Sequence, residues 1–231
     1  MATQNGINVP TEKKIVFKGS QDRTPRVIFV IENAFLENVK IKGQTHLLNF
    51  DDHKNLMHKA GKDATNARPD ILHQTLLAIY DSPLAKAGKI EVFIHTHKND
   101  LIYVDPAIRL PRTFQRFCGL MSQLLINRSV HASGSESNKK LLTMIKNPIT
   151  DHLPPNIRKI ALSKSWNSVK LDKFIGEELD DSPVCFIIGG FAHGQLDIDY
   201  EDERISVADY PLSAAACASR VCHSFEMKWD L

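Results

Sequence analysis

Two groups of residues in this chain have types and spacings that can do chemistry. The first is glycine-rich, V-C-F-I-I-G-G-F-A-H-G at 184–194, followed after an acidic run by I-S-V-A-D-Y-P-L-S-A at 205–214. An apolar strand ending on Gly189-Gly190 presents main-chain amides with no Cβ in the way. A second short strand over Ile205–Ala208, then Pro211 at the head of a helix running Ser213 to Phe225, would close a pocket walled by backbone groups. Such a pocket suits an adenine-bearing ligand. The same pattern also serves plain strand–turn–strand–helix packing in an α/β domain, and both readings stand at this point. G-G-x-x-x-G is not the dinucleotide fingerprint, and no Lys-Ser/Thr follows a glycine at P-loop distance.

The second group is Arg109, Arg112 and Arg116, at the start of an amphipathic helix. Phe114, Phe117, Leu120, Met121, Leu124 and Leu125 form its apolar stripe, and Arg112 and Arg116 point away from it. No acid sits at i±4, and cations lie at the wrong end of the helix dipole. That is a mild cost to folding and an asset for binding phosphate, although a solvated polar face is the simpler alternative. His95 and His97 share a strand face at a spacing that could ligate metal. With no third ligand in view, half-exposed strand residues are expected instead, and no metal.

The totals agree with one soluble globular domain. The chain has 231 residues, 42% hydrophobic and 24% charged, with a net charge of +2. No apolar run approaches the roughly 18 residues of a membrane span, and the first residues do not read as a secretory signal. Four cysteines without C-x-x-C read as reduced thiols. Charge is unevenly spread: Leu101–Arg128 holds four arginines against one acid, and Leu171–Asp209 eleven acids against two bases.

The elements that must position these groups follow from periodicity. Residues 1–23 read as a mobile tail, and 26–31 as a central parallel strand. Leu47–Phe50 reads as a short strand and 51–54 as solvent-facing. Pro69 opens a helix that Asp81-Ser82-Pro83 closes, with Asp70 favouring its positive end. Residues 90–104 read as a β-hairpin insertion, 131–137 as a flexible loop, 139–146 as a short helix, 159–163 as a strand and 169–179 as a helix. Strands alternating with helices give an α/β fold with a mainly parallel sheet.

Several separated motifs then carry a family likeness. A-R-P-D at 67–70, D-S-P-L-A-K-A-G-K at 81–89, R-L-P-R-T-F-Q-R-F at 109–117, K-N-P-I-T-D-H-L-P at 146–154 and D-Y-P-L-S-A at 209–214 occur in family order. In these stretches the chain resembles the eukaryotic small-subunit rRNA pseudouridine-N1-methyltransferases, nucleolar ribosome-assembly factors of the SPOUT superfamily. The resemblance implies a SPOUT fold with a C-terminal trefoil knot, a homodimer, and S-adenosylmethionine as methyl donor. It implies a pseudouridine in a single-stranded loop of small-subunit rRNA as acceptor, pre-ribosomal proteins as partners, and a nuclear, nucleolar location. By position, Leu162, Gly189, Gly194, Ile205, Ser206, Val207, Ala208, Asp209, Tyr210 and Leu212 would hold the cofactor. Arg68, Arg109, Arg112 and Arg116 would contact RNA, with Asp70 orienting Arg68; His193 receives no role.

The acceptor nitrogen carries a proton, so the reaction needs a base or a stabilising cation. Arg68 is expected to supply the field and Asp81 to take the proton, the alternative for Asp81 being a helix-terminating turn. A non-catalytic rRNA-binding assembly factor of the same fold is the competing class.

Overall fold

A computed structural model describes residues 26–61, 63–134 and 137–231; the tail expected over 1–23 lies outside them. Its axis is strand β1 (Val27–Ala34), buried at every residue but Asn33. Strand β4 (Ile90–Thr96) pairs with it in parallel on one side and β9 (Val184–Gly189) in parallel on the other. A strand flanked on both edges and both faces has no polar surface to present, which is why V-I-F-V-I is continuous rather than alternating. Beyond β9 come β8 (Arg158–Leu162) and β10 (Glu203–Ile205), also parallel. On the other side β5 (Leu101–Val104), β7 (Lys140–Ile145) and β6 (Ser129–His131) add antiparallel strands, giving the order β10-β8-β9-β1-β4-β5-β7-β6. A separate small hairpin joins β2 (Asn38–Ile41) to β3 (Gln44–Leu47).

Alternate residues of the central strands feed two cores. Phe29, Ile31, Phe186 and Ile188 pack beneath helices α2 (Pro69–Tyr80), α4 (Phe114–Asn127) and α6 (Ala214–Trp229), against Leu72, Leu76, Phe117, Val221 and Phe225. Ile28, Val30, Cys185 and Ile187 face the opposite side, where Ile149, Leu153 and Leu196 from irregular segments cover them. The remaining helices are α1 (Phe50–Lys59), α3 (Pro83–Lys86) and the short α5 (Leu171–Lys173), which runs into a π-helical turn over Phe174–Glu178.

Five expectations need correction. The hairpin over 90–104 exists but is no insertion, because β4 is the direct parallel neighbour of β1. Residues 140–145 form strand β7 rather than a helix: Leu142 is buried between β5 and β6, and pairing on both edges overrides local propensity. Asn49 and Phe50 do not continue a strand. Asn49 caps α1, its side chain accepting from the Asp52 amide at 2.9 Å, and His53, expected to face solvent, is buried with its ring accepting from the Asn49 amide. His131, placed in a loop by its neighbours, ends strand β6.

The turn after β9 has the tightest backbone contact near the sheet edge. Gly190 donates its amide to the Glu32 carbonyl at 2.7 Å. A Cβ there would lie 2.8 Å from Ile31 Cγ2 and 3.2 Å from Ala34 Cα. We expect Gly190→Ala to destabilise the fold by about 1–3 kcal/mol through overpacking, read as a lower melting temperature at roughly 2–4 °C per kcal/mol.

Candidate functional site

The parallel strands β8, β9 and β10 deliver their C-terminal ends to a cavity of about 440 Å³, where an open α/β sheet places its ligands. Leu162 and Gly189 stand at two of those ends, and Gly194, Ser206, Val207, Tyr210 and Leu212 complete the wall. The Phe191 ring lies against Gly189 so closely that a Cβ would come within 2.6 Å of it. Gly194 has φ of +109°, a conformation that L side chains rarely adopt. The segment after β10 is fixed by its own main chain: Ser163 N donates to Ile205 O, Ser206 N to Asn167 O, and Val169 N to Ser206 O. Ser206 Oγ also donates to Ala208 O at 2.7 Å. Ser213 then caps α6, accepting from the Ala216 amide, so the positive end of a 16-residue helix opens on the cavity.

Seven of the ten expected cofactor residues therefore line this space. Ile205, Ala208 and Asp209 do not. Ile205 is buried in the sheet, the Ala208 carbonyl is taken by Ser206, and Asp209 accepts from the Ser168 hydroxyl. They brace the wall. The cavity also receives Gln74, Phe191 and Leu196, which the sequence did not single out, and His193, to which it gave no role. The wall mixes apolar side chains, Leu162, Ile188, Val207 and Leu212, with polar ones, Gln74, His193 and Gln195. That combination suits a flat heterocycle with polar edges.

Arg68 ends the loop before α2 and reaches the same cavity. Its Nε donates to Asp70 Oδ1 at 2.8 Å and its Nη2 to Oδ2 at 2.6 Å, a bidentate pair that fixes the guanidinium and favours its charged form. Asp70 thus orients Arg68 as well as facing the helix dipole. A second cavity, about 420 Å³, lies next door and is lined by Phe50, Asp51, Thr65, Arg68, Asp70 and His193. Arg68 and His193 are the two residues common to both cavities.

The other arginines lie elsewhere. Arg109, Arg112 and Arg116 are exposed around the N-terminus of α4. Arg112, with no acid at i±4, donates across the fold to Asp81, the C-cap of α2. His73 ties α2 to this region, its Nε2 lying 2.7 Å from Pro111 O while its ring stacks on Phe117 at 4.5 Å. Arg68 and Asp81 flank a 12-residue helix, which at 1.5 Å per residue holds them on the order of 18 Å apart. One chain alone does not bring Asp81 to Arg68, because both α2 ends are fixed by the helix between them.

Behind the cavity, Glu32 is buried at the end of β1. It accepts from Tyr200 Oη at 2.5 Å and pairs with His95 Nδ1 at 2.7 Å, while His95 Nε2 lies 2.7 Å from Asn99 Oδ1. With Gly190 on the Glu32 carbonyl, this one residue holds both ends of the 190–200 segment that forms part of the cavity wall. Both His95 nitrogens are engaged by these side chains, and among the described residues no group of His, Cys, Asp or Glu is arranged to hold a metal.

Comparison with known proteins agrees with the sequence and the sheet. The family profile described as EMG1/NEP1 methyltransferase matches residues 29–226. The mouse ribosomal RNA small subunit methyltransferase NEP1 is 44% identical over 228 residues, covering 99% of this chain and 92% of that protein. The Drosophila melanogaster protein of the same name is 45% identical over 212 residues, covering 89% and 83%. The crystal structure of Archaeoglobus fulgidus Nep1 bound to S-adenosylhomocysteine superposes with a TM-score of 0.72 at 24% identity, covering 89% of this chain and all of that one. That last likeness establishes the fold.

The Glu32 hydrogen bond, followed by the smaller contribution of Asn99, raises the pKa of His95 against the opposing effect of burial. A raised folded-state value means that this pair stabilises fully below the unfolded imidazole's titration and fades as pH rises through the folded one. His95→Gln is therefore expected to melt below the wild type by a gap that is widest at acid pH and closes toward alkaline pH. At its widest the gap should be about 1 kcal/mol, or roughly 2–4 °C for a domain of this size, measured by thermal denaturation across pH.

Proposed function

Since the chain belongs to the EMG1/NEP1 methyltransferase family, we propose that it transfers a methyl group from S-adenosylmethionine to N1 of a pseudouridine in small-subunit rRNA. The observation that carries this reading is the cavity itself. Strand ends, two glycines without Cβ and a helix N-terminus give backbone donors and acceptors to an adenine edge, and positive dipole to a methionyl carboxylate. S-adenosylmethionine supplies an electrophilic methyl group on sulfur. The protein's own work is alignment, exclusion of water and handling of one proton. Leu162, Val207 and Leu212 enclose the apolar faces, and the 190–196 turn closes over them.

Arg68, held by Asp70, stands where it can stabilise the negative charge that the acceptor ring develops as its proton leaves. Arg109, Arg112 and Arg116 contact the RNA backbone, with Asp81 steering Arg112. Exposed Tyr210 and Trp166 offer rings on which unstacked bases can lie.

The working unit in this reading is a homodimer. Helices α2 and α6 pack together, and Ile71, Leu77 and Ala78 on the first and the small residues Ala214 and Cys217 on the second remain half-exposed. A two-fold axis on this face would carry the Arg112 end of one copy toward the Arg68 end of the other, assembling charges that one chain keeps apart. The C-terminal trefoil knot is supported by two features. Ser206 pairs with Asn167 and Val169 in the crossover after β8, and Lys228 donates to Ile175 O at 3.2 Å, so α6 runs close to the segment between β8 and β9. Action on pre-ribosomal RNA, among assembly proteins in the nucleolus, follows from that substrate.

Labelled S-adenosylmethionine offered with paired single-stranded oligonucleotides tests the reaction. Label is expected in the pseudouridine strand and not in its uridine twin; binding without label would make the protein a clamp. Arg112→Ala and Arg116→Ala should each weaken RNA binding by about 1–3 kcal/mol and reduce the slope of log affinity against log salt by roughly 0.7. Affinities unchanged in both variants would remove this surface from the RNA path.

A further inference from the structure

Two cavities meet at Arg68 and His193, and the reaction needs two ligands to meet. We propose that the second cavity receives the extruded base and that His193 takes the N1 proton that pseudouridine carries and uridine lacks. This rests on the methylation reading above. The first cavity has the backbone-rich wall that a nucleoside donor needs, whereas the second is lined by polar and charged side chains around one aromatic ring, Phe50. A uracil ring offers two carbonyls and N3–H in either nucleoside. Pseudouridine adds a free N1–H, because its ribose is attached through carbon. A site that distinguishes them needs an acceptor aimed at that one extra donor.

His193 is the titratable residue, besides the permanently cationic Arg68, that borders both cavities. Asp70 is committed to Arg68, both of its oxygens being engaged. Asp51 borders the second cavity alone. His193 lines the second cavity together with Thr65 of the 63–65 loop, and Asp63 in that loop is held below the usual carboxylate range chiefly by the Thr65 amide and hydroxyl, with a smaller contribution from His193. The groups that bear on the imidazole are therefore Arg68 from the start of α2, Asp51 and Asp70 from the two helix N-termini, and Asp63 from the loop. In the step, the N1–H bond breaks and its proton passes to a ring nitrogen of His193. The freed electron pair forms the N1–CH₃ bond, and the S–CH₃ pair returns to sulfur, leaving a neutral thioether. Arg68 stabilises the ring anion as it forms, and the protonated imidazole later releases its proton to water.

The test compares full-length wild type, His193→Gln, His193→Ala and Asp81→Asn. Single-turnover methylation of the pseudouridine oligonucleotide is followed across pH, and S-adenosylhomocysteine affinity is measured by calorimetry. We expect the wild-type rate to fall as pH drops, as it must when a base carries the step. His193→Gln should lose about 10²–10⁴-fold in rate and that acid limb, with S-adenosylhomocysteine affinity within roughly threefold of wild type, and added imidazole should partly restore His193→Ala. Retention of rate and acid limb in His193→Gln overturns the inference. So does their loss in Asp81→Asn alone, which would make Asp81 of a second copy the acceptor. Wild-type protein that labels neither oligonucleotide overturns the methylation reading itself, and this inference with it.

Discussion

The contact on which the structure turns is the approach of the Gly189-Gly190 backbone to the end of β1. The Gly190 amide on the Glu32 carbonyl lets the chain leave a central strand and fold back at once, and Phe191 closes over the bare Gly189. Any side chain at Gly190 meets Ile31 and Ala34 within the fixed main strand. The turn therefore stays tight, and the 190–200 segment can both wall the cavity and return to Glu32 through Tyr200. Ligand binding and sheet integrity share one residue at that point.

Electrostatics divides the molecule into one charge held at the cavity and a set of exposed ones. Arg68 is fixed by two hydrogen bonds to Asp70, so little reorganisation is required when negative charge appears near it. Arg109, Arg112 and Arg116 stand in solvent at the other end of α2, where screening weakens each contact and makes it dependent on salt. The fixed cation suits a chemical step. The exposed ones suit a long, flexible anion.

Much of the fold could be read from the chain because its strongest patterns are also its most buried elements. The continuous apolar runs at 27–31 and 184–188 became the central strands, and Pro69 with the 114–125 stripe located α2 and α4. Reading failed where tertiary pairing decides. Lys140–Ile145 has residues that suit a helix, yet two neighbouring strands claim its backbone. The 90–104 hairpin looks self-contained in sequence, since the parallel partner of β4 lies some 60 residues earlier. At the site, glycine and strand chemistry made a backbone-walled pocket legible, while the family resemblance supplied its individual residues, Gly189, Gly194, Ser206, Val207, Tyr210 and Leu212 among them. His193 and Phe191 were not legible, because an exposed histidine and a half-buried phenylalanine carry no periodic signal; only the folded turn shows what they face. Within one chain the helix that follows Arg68 carries Asp81 away from it, a separation that nearness in sequence does not show.

The central claim is that backbone at the ends of β8, β9 and β10 grips a sulfonium nucleoside. Backbone-amide NMR of the isotope-labelled protein, titrated with S-adenosylhomocysteine, addresses it directly. The amides of Gly189, Gly194, Ser206, Val207 and Tyr210 should shift together and saturably, while those of Arg109, Arg112 and Arg116 stay put. Shifts confined to the α4 arginines, or none at the glycine turn, would contradict the account.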